Sequence, residues 1–407
     1  MKIQRLIGAA LAGVGRPLAE ILVLLAVLIL PGHASAQSWN VLSGNWDVAD
    51  NWSPSGIPTL HDVVSIDNSG TAIVPVGVAG VAEDLFVGNY GAGSLNVSGS
   101  VYAYSWIVIG NHPGSSGTVT INTGGEWDVV RLDIGSQGTG TLIIDGGNGG
   151  NGRAYIGNGT VTVTNGGTWS PISLGLGSSG TLNLGTGGVA GVINTATVSG
   201  DSGAVVNFNH TGCYTFAPQL TGNLALNKLG AGTTILSSSN TYTGATTVES
   251  GKLKLDANGS IASSTSVDIS PGGIFDTTAL ACGTFTMLGS QTFKFTLEST
   301  GVGSAGLLDA TGLDITTGVV DFATLGTLDD AAYVIADYTS LTGSTFASVV
   351  NLPNGYVIDY HYKNGTKIAV AAVPEPGSFV LMGLGVAGLV LRRRKSARKH
   401  LRYLLRC

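Results

Sequence analysis

Between Leu85 and Val189 short apolar stretches alternate with small polar residues, and the pattern repeats five times. Leu85-Phe86-Val87-Gly88 precedes Gly93-Ser94-Leu95-Asn96-Val97, and Ile107-Val108-Ile109-Gly110 precedes Gly117-Thr118-Val119-Thr120-Ile121. Leu132-Asp133-Ile134-Gly135 precedes Gly140-Thr141-Leu142-Ile143-Ile144, and Tyr155-Ile156-Gly157 precedes Gly159-Thr160-Val161-Thr162-Val163. The fifth copy pairs Ile172-Ser173-Leu174-Gly175 with Gly180-Thr181-Leu182-Asn183-Leu184. The leading glycines, at 88, 110, 135, 157 and 175, are 22, 25, 22 and 18 residues apart. Each copy reads as two short strands closed by glycine, which accepts the positive φ of a tight corner. Alternation places Val119, Ile121, Leu142, Ile144, Val161, Val163, Leu182 and Leu184 inward, with Thr120, Ile143, Thr162 and Asn183 outward. One such unit cannot bury its apolar face alone, whereas stacked units build a continuous core. The period predicts an all-β chain: a single-stranded, right-handed parallel β-helix of ~22-residue glycine-rich coils, roughly 13 of them over 79 to 370.

Both ends depart from the repeat. Lys2, Arg5 and Arg16 precede the apolar run Ile21 to Leu30, and Ala34-Ser35-Ala36 is a small-x-small cleavage site, so residues 1–36 read as a helical signal peptide removed after Ala36. Residues 37–78 hold Trp39, Trp46 and Trp52. They predict a cap over the first coil, whose strand edges need protection, and they are also candidate sugar-stacking residues. Val267-Asp268-Ile269, Phe293 to Leu297, Val319 to Phe322 and Tyr333 to Ala336 continue as strands. Asn354-Gly355 and Asn364-Gly365 read as hairpin turns, and Val357 to Tyr362 with Lys367 to Val370 forms a closing hairpin.

Charge is unevenly distributed. From Gln37 to Pro376 there are 24 acidic and 8 basic residues, a net of −16, whereas eight basic residues crowd Arg392 to Arg406. Such a body cannot neutralise phosphates, which excludes nucleic acid as a partner. Apolar residues at 43% exclude disorder. Cys213 and Cys282 are either an exported disulfide or two apolar core thiols, and no Cys-x-x-Cys spacing supports zinc.

Two stretches carry family resemblances. Lys228-x-Gly230-x-Gly232-Thr233, Asn240-Thr241-Tyr242-Thr243-Gly244 and Gly251-Lys252-Leu253 resemble the autotransporter-associated beta strand repeat. That resemblance implies coils of a surface-exposed passenger β-helix, and alternation here places Ile235, Val248, Leu253 and Leu255 inward. Val373-Pro374-Glu375-Pro376, the apolar run Phe379 to Leu391 and Arg392-Arg393-Arg394-Lys395 resemble the PEP-CTERM sorting signal. It implies an exosortase and the secretion machinery as partners, a helix held transiently in the inner membrane, cleavage near Pro-Glu-Pro, and a cell-surface or extracellular destination. The chain thus divides into 1–36 signal peptide, 37–78 cap, 79–222 glycine-rich repeats, 223–255 autotransporter-associated repeat and 256–371 further coils with a cap. Residues 372–395 follow as the sorting signal, with a membrane segment at 379–391, and 396–407 as a basic cytoplasmic tail.

No catalytic, cofactor-binding or metal site is expected. The closest acidic pairs, Asp309 with Asp314 and Asp329 with Asp330, have no basic residue in the same repeat and read as turn residues. His61, His112, His210 and His361 share no ligand spacing. Asp145 to Gly152 is glycine-rich but lacks the second aspartate of a calcium-binding repeat and reads as a bulging loop. The expected function is a non-enzymatic surface or matrix protein, structural or adhesive, associated with exopolysaccharide or biofilm. The alternatives are a polysaccharide-active β-helix enzyme and a carbohydrate-binding module.

Overall fold

In a computed structural model the chain is described at residues 35–373, except 151 and 300–303. The predicted signal and C-terminal helices, with Ala34, Pro374, Glu375, Pro376 and Arg392 to Arg394, lie outside the described residues.

Strands follow one another around a parallel β-solenoid of about 12 turns. Each early turn has three faces. The first carries Leu85–Val87, Ile107–Ile109, Leu132–Ile134, Ala154–Ile156 and Leu174–Leu176, paired in parallel and in register. The second starts at 71–74 and runs through every later turn to 348–350. On the third, 79–82 pairs with 100–103, and that with 126–129. Two strands per coil were expected. The third was hidden because its inward residues, Val101, Ala103, Trp127, Val129 and Trp169, lie in short stretches broken by glycine, serine and charge.

Columns of inward side chains make the core. On the second face Leu95, Val119, Leu142, Val161, Leu182, Val206 and Leu226 stack coil upon coil, each at most 1% exposed. The eight residues predicted to face inward between Val119 and Leu184 are fully buried, and Thr120, Ile143, Thr162 and Asn183 face outward. In the outer column, Asn183 Nδ2 donates to Thr162 Oγ1 (3.2 Å), Asn207 to Asn183 (2.9 Å) and Asn227 to Asn207 (2.9 Å). The repeat that fixes the core therefore also fixes a polar ladder outside.

Corners explain the leading glycines in part. Gly110 has φ 70°, and a Cβ there would lie 2.2 Å from the Thr139 carbonyl oxygen. The fifth leading glycine was misplaced. Ile156 pairs with Leu176, so Gly175 sits within a strand opposite Tyr155, and Gly177 follows the strand as Gly157 does. Ile235 is also corrected: it points outward, and Thr234 and Leu236 point in.

The ends are closed as expected of caps. Ala36–Trp39 lies parallel to Val63–Ser65, and Trp39 lies opposite Trp52. At the other end 356–359 pairs antiparallel with 369–372, which pairs in turn with 332–337. Lys363, Asn364 and Gly365 take positive φ in that hairpin turn. Asn354-Gly355 is a turn too, but it joins 348–350 to a strand of the other sheet and closes no hairpin. Asp145 to Gly152 is no free bulge, because Asn148–Gly149 pairs with residues on both neighbouring coils.

Candidate functional site

The three tryptophans proposed for sugar contact are core. Trp39, Trp46 and Trp52 are 3%, 0% and 1% exposed. Trp52 meets both others edge-to-face at 4.8 Å and donates Nε1–H to the Trp46 carbonyl at 2.7 Å. Buried indoles offer no ring face to a pyranose, so sugar contact at these positions is incompatible with the folded cap. The cysteines are corrected as well. Cys213 and Cys282 are unpaired and exposed. Cys213 pairs along its column with Thr233, then Lys252, then Ile274 on the coil that leads to Cys282. That separation of three coils, about 14 Å, is beyond disulfide reach.

Stacking assembles polar groups that are far apart in sequence. Lys254, Asp276, Asp309, Asp337 and Lys367 occupy successive rungs of one outer column. Asp276, 2% exposed, accepts from Lys252 Nζ (2.8 Å), Thr278 N (3.0 Å) and Thr278 Oγ1 (2.7 Å). Burial alone would raise its pKa, but these bonds and the Lys252 charge hold the carboxyl below its ordinary value. Asp309 is raised, chiefly by burial and by the carboxylates of Asp276 and Asp337. Lys367 pairs with Asp337. Asp309 is thus no solvated turn residue: its neighbours come from adjacent coils, which a search within one repeat cannot find. The buried and fully engaged Asp276 makes this column a structural ion network. Among the described residues no group of three or more His, Cys, Asp or Glu is arranged to hold a metal.

A second polar group lies inside. Lys228, 0% exposed, occupies an inward column between Phe208 and Val248. Its ammonium donates to the Gly230 carbonyl and to the Ser250 carbonyl, the latter at 3.3 Å. Burial pulls its pKa down to about 8. His210 is also fully buried. Its Nδ1 donates to the Gly212 carbonyl (3.1 Å), which leaves Nε2 to accept from the Thr234 hydroxyl (2.7 Å). Burial and the Lys228 charge lower its pKa. That acceptor role explains why Thr234, and not Ile235, turns inward.

The first face carries the open candidate site. Trp106, Arg131 and Arg153 occupy one outer column, and Asp133, Tyr155 and Gly175 the next. The Arg131 guanidinium lies 4.3 Å over the Trp106 ring and 3.0 Å from Asp133. A shallow cavity of about 410 Å³ opens over Arg131, Arg153, Tyr155, Gly175 and Ser199. Sequence reasoning missed this site because its members are some 20 residues apart and meet only through coil register. The adjacency of the only two body arginines was its one visible trace.

Fold and surface together define a capped, three-faced parallel β-solenoid that presents ladders of side chains. Residues 226–255 match the passenger-associated-transport-repeat, and residues 372–395 match the PEP-CTERM protein-sorting motif. The chain is 29% identical over 198 residues to the adhesin BmaC autotransporter of Brucella suis biovar 1 (strain 1330), an alignment covering 40% of this chain and 6% of that protein. Among solved structures, the crystal structure of a TibC-catalysed hyper-glycosylated TibA fragment aligns over 79% of this chain and 96% of its own, with 15% identity and a TM-score of 0.31. The sorting motif begins where the fold ends. Ala372 closes the last strand, and Val373, 48% exposed, donates its N–H to the Gly355 carbonyl at 2.8 Å. Among the described residues no helix is long and apolar enough to cross a membrane, and the predicted span 379–391 lies outside them.

Proposed function

We propose that the chain is a non-enzymatic, exported surface protein of adhesin type, a rigid rod sorted through its C-terminus. The observation that carries this reading is the junction at Ala372–Val373. A capped solenoid ends there, and the sorting motif starts at once. Val373-Pro374-Glu375-Pro376 cannot continue a helix or an inner strand, because proline lacks the donor and restricts its predecessor. It is an extended segment in which an exosortase reads Glu375. Phe379 to Leu391 holds the precursor transiently in the inner membrane, and Arg392, Arg393 and Arg394 keep that end cytoplasmic. The signal peptide is cleaved after Ala36, which leaves Gln37 to begin the cap. The relative named an adhesin supports attachment as the role, and exopolysaccharide or biofilm matrix is the proposed partner.

Mass spectrometry of the secreted fraction from the native host tests this. The mature form should lack everything beyond Pro-Glu-Pro, and Glu375→Ala should trap a membrane-bound precursor. Surface-exposed protein reaching Cys407 would refute processing. The enzymatic alternative rests on the raised pKa of Asp309 and is decided by incubation with a polysaccharide panel. New reducing ends or unsaturated products would establish it, and retention without products supports binding.

A further inference from the structure

We propose that the shelf on the first face, built by Arg153, Tyr155 and the Trp106–Arg131 stack, binds a carboxylated sugar residue of an acidic polysaccharide. This rests on the adhesive reading above and names its ligand class.

Arg153 and Tyr155 lie two residues apart on one strand, so both side chains project from the same side, about 7 Å apart. The next coil leaves that space empty. Gly175 sits directly opposite Tyr155, and a Cβ there would lie 3.3 Å from Tyr155 Cδ2. A Cβ on Gly177 would lie 2.5 Å from the Tyr155 hydroxyl oxygen. The phenol ring therefore lies along a bed of two glycines, and Tyr155 remains 45% exposed. A flat ring backed by protein on one side and open on the other is a surface on which a pyranose can stack.

Charge supplies the second half of the argument. Between Gln37 and Asn227 there are 11 acidic residues, and Arg131 and Arg153 are the only basic ones. The fold sets these two on adjacent rungs. Asp133 neutralises Arg131 and holds it over Trp106. Arg153 is exposed and makes no ion pair among the described residues. One unspent guanidinium beside one open ring fits a sugar bearing a single carboxylate, since the planar fork of arginine suits that group. A strongly negative body would repel a polyanion everywhere else, which confines binding to this shelf.

The test uses the full-length protein in affinity electrophoresis with alginate, a uronate polymer, and dextran, a neutral one. Alginate should retard the wild-type protein and dextran should not, and added salt should weaken retention. Arg153→Gln and Tyr155→Ala should each weaken alginate binding about tenfold with unchanged circular dichroism, because both side chains are exposed. Equal retention of wild type and both variants would overturn the shelf, as would retardation by dextran alone. A parallel lane with the host's own matrix separates the two levels. Matrix retention that is insensitive to both variants sinks the shelf and leaves adhesion standing. Loss of retention on matrix and alginate alike for the wild type sinks both.

Discussion

Replacing Lys228 with methionine probes how the solenoid tolerates a cation in its core. The ammonium sits between Phe208 and Val248 with no carboxylate partner, and burial lowers its pKa from 10.5 to about 8. At about 1.36 kcal/mol per pH unit, that depression is a folding cost of about 3 kcal/mol. The sign follows from proton counts. Below pH 8 both states hold the proton, and the full cost is present. Between 8 and 10.5 the unfolded lysine still binds a proton that the folded one has released, so stability rises with pH. Above 10 the buried phenols reverse the trend, because burial raises Tyr214 to about 12 and raises Tyr242 as well. The useful window is therefore pH 7.5 to 9.5, where the wild-type protein should gain about 2 kcal/mol. Lys228→Met abolishes that rise. It relieves the buried charge but leaves the Gly230 and Ser250 carbonyls without their donor, at about 1 kcal/mol each. The variant should thus match or slightly exceed the wild type at pH 7 and fall below it at pH 9.5. Urea unfolding followed by circular dichroism across this range measures both. A flat wild-type profile, or a methionine variant that keeps the slope, would refute the reasoning.

Register is tested by Val163→Asp, which buries an unpaired charge and should lower stability by about 3 kcal/mol or more, while Thr162→Asp on the outer face should leave thermal unfolding nearly unchanged. Corner geometry is tested by two glycines of like φ, Gly110 at 70° and Gly114 at 82°. Gly110→Ala meets the Thr139 carbonyl and should lower the melting temperature clearly more than Gly114→Ala, which meets nothing within 4 Å. Asp276→Ala removes the partner of Lys252 and the acceptor for Thr278, and urea titration should show a loss of about 3 kcal/mol. The wild-type contribution of Asp276 should fade as pH falls below about 4, because its folded pKa lies below the ordinary value. Both cysteines should react with a thiol reagent in the native protein, and protection of either would contradict their exposure.

The sequence by itself determined the architecture, because a β-solenoid writes its period locally. The alternation of Val119, Thr120 and Ile121 fixes which side faces in, and recurrence near 22 residues leaves stacking as the way to bury that side. It also supplied both terminal caps and the motif at Val373 to Pro376. Local alternation failed where a buried polar group competed for the interior, as Thr234 displaces Ile235 to satisfy His210. It failed at Gly175, where the nearest glycine was taken for the corner although coil pairing assigns that place to Gly177. Tryptophans at 39, 46 and 52 looked like sugar platforms because composition does not report burial. Only the tertiary structure decided which residues become neighbours across coils. Asp276, Asp309 and Asp337 stand 33 and 28 residues apart in the chain and one rung apart in space. Arg131 and Arg153, with Tyr155 on its glycine bed, meet for the same reason: lateral contacts in a solenoid depend on the exact length of every intervening turn, and a sequence shows that length only after the strands have been paired.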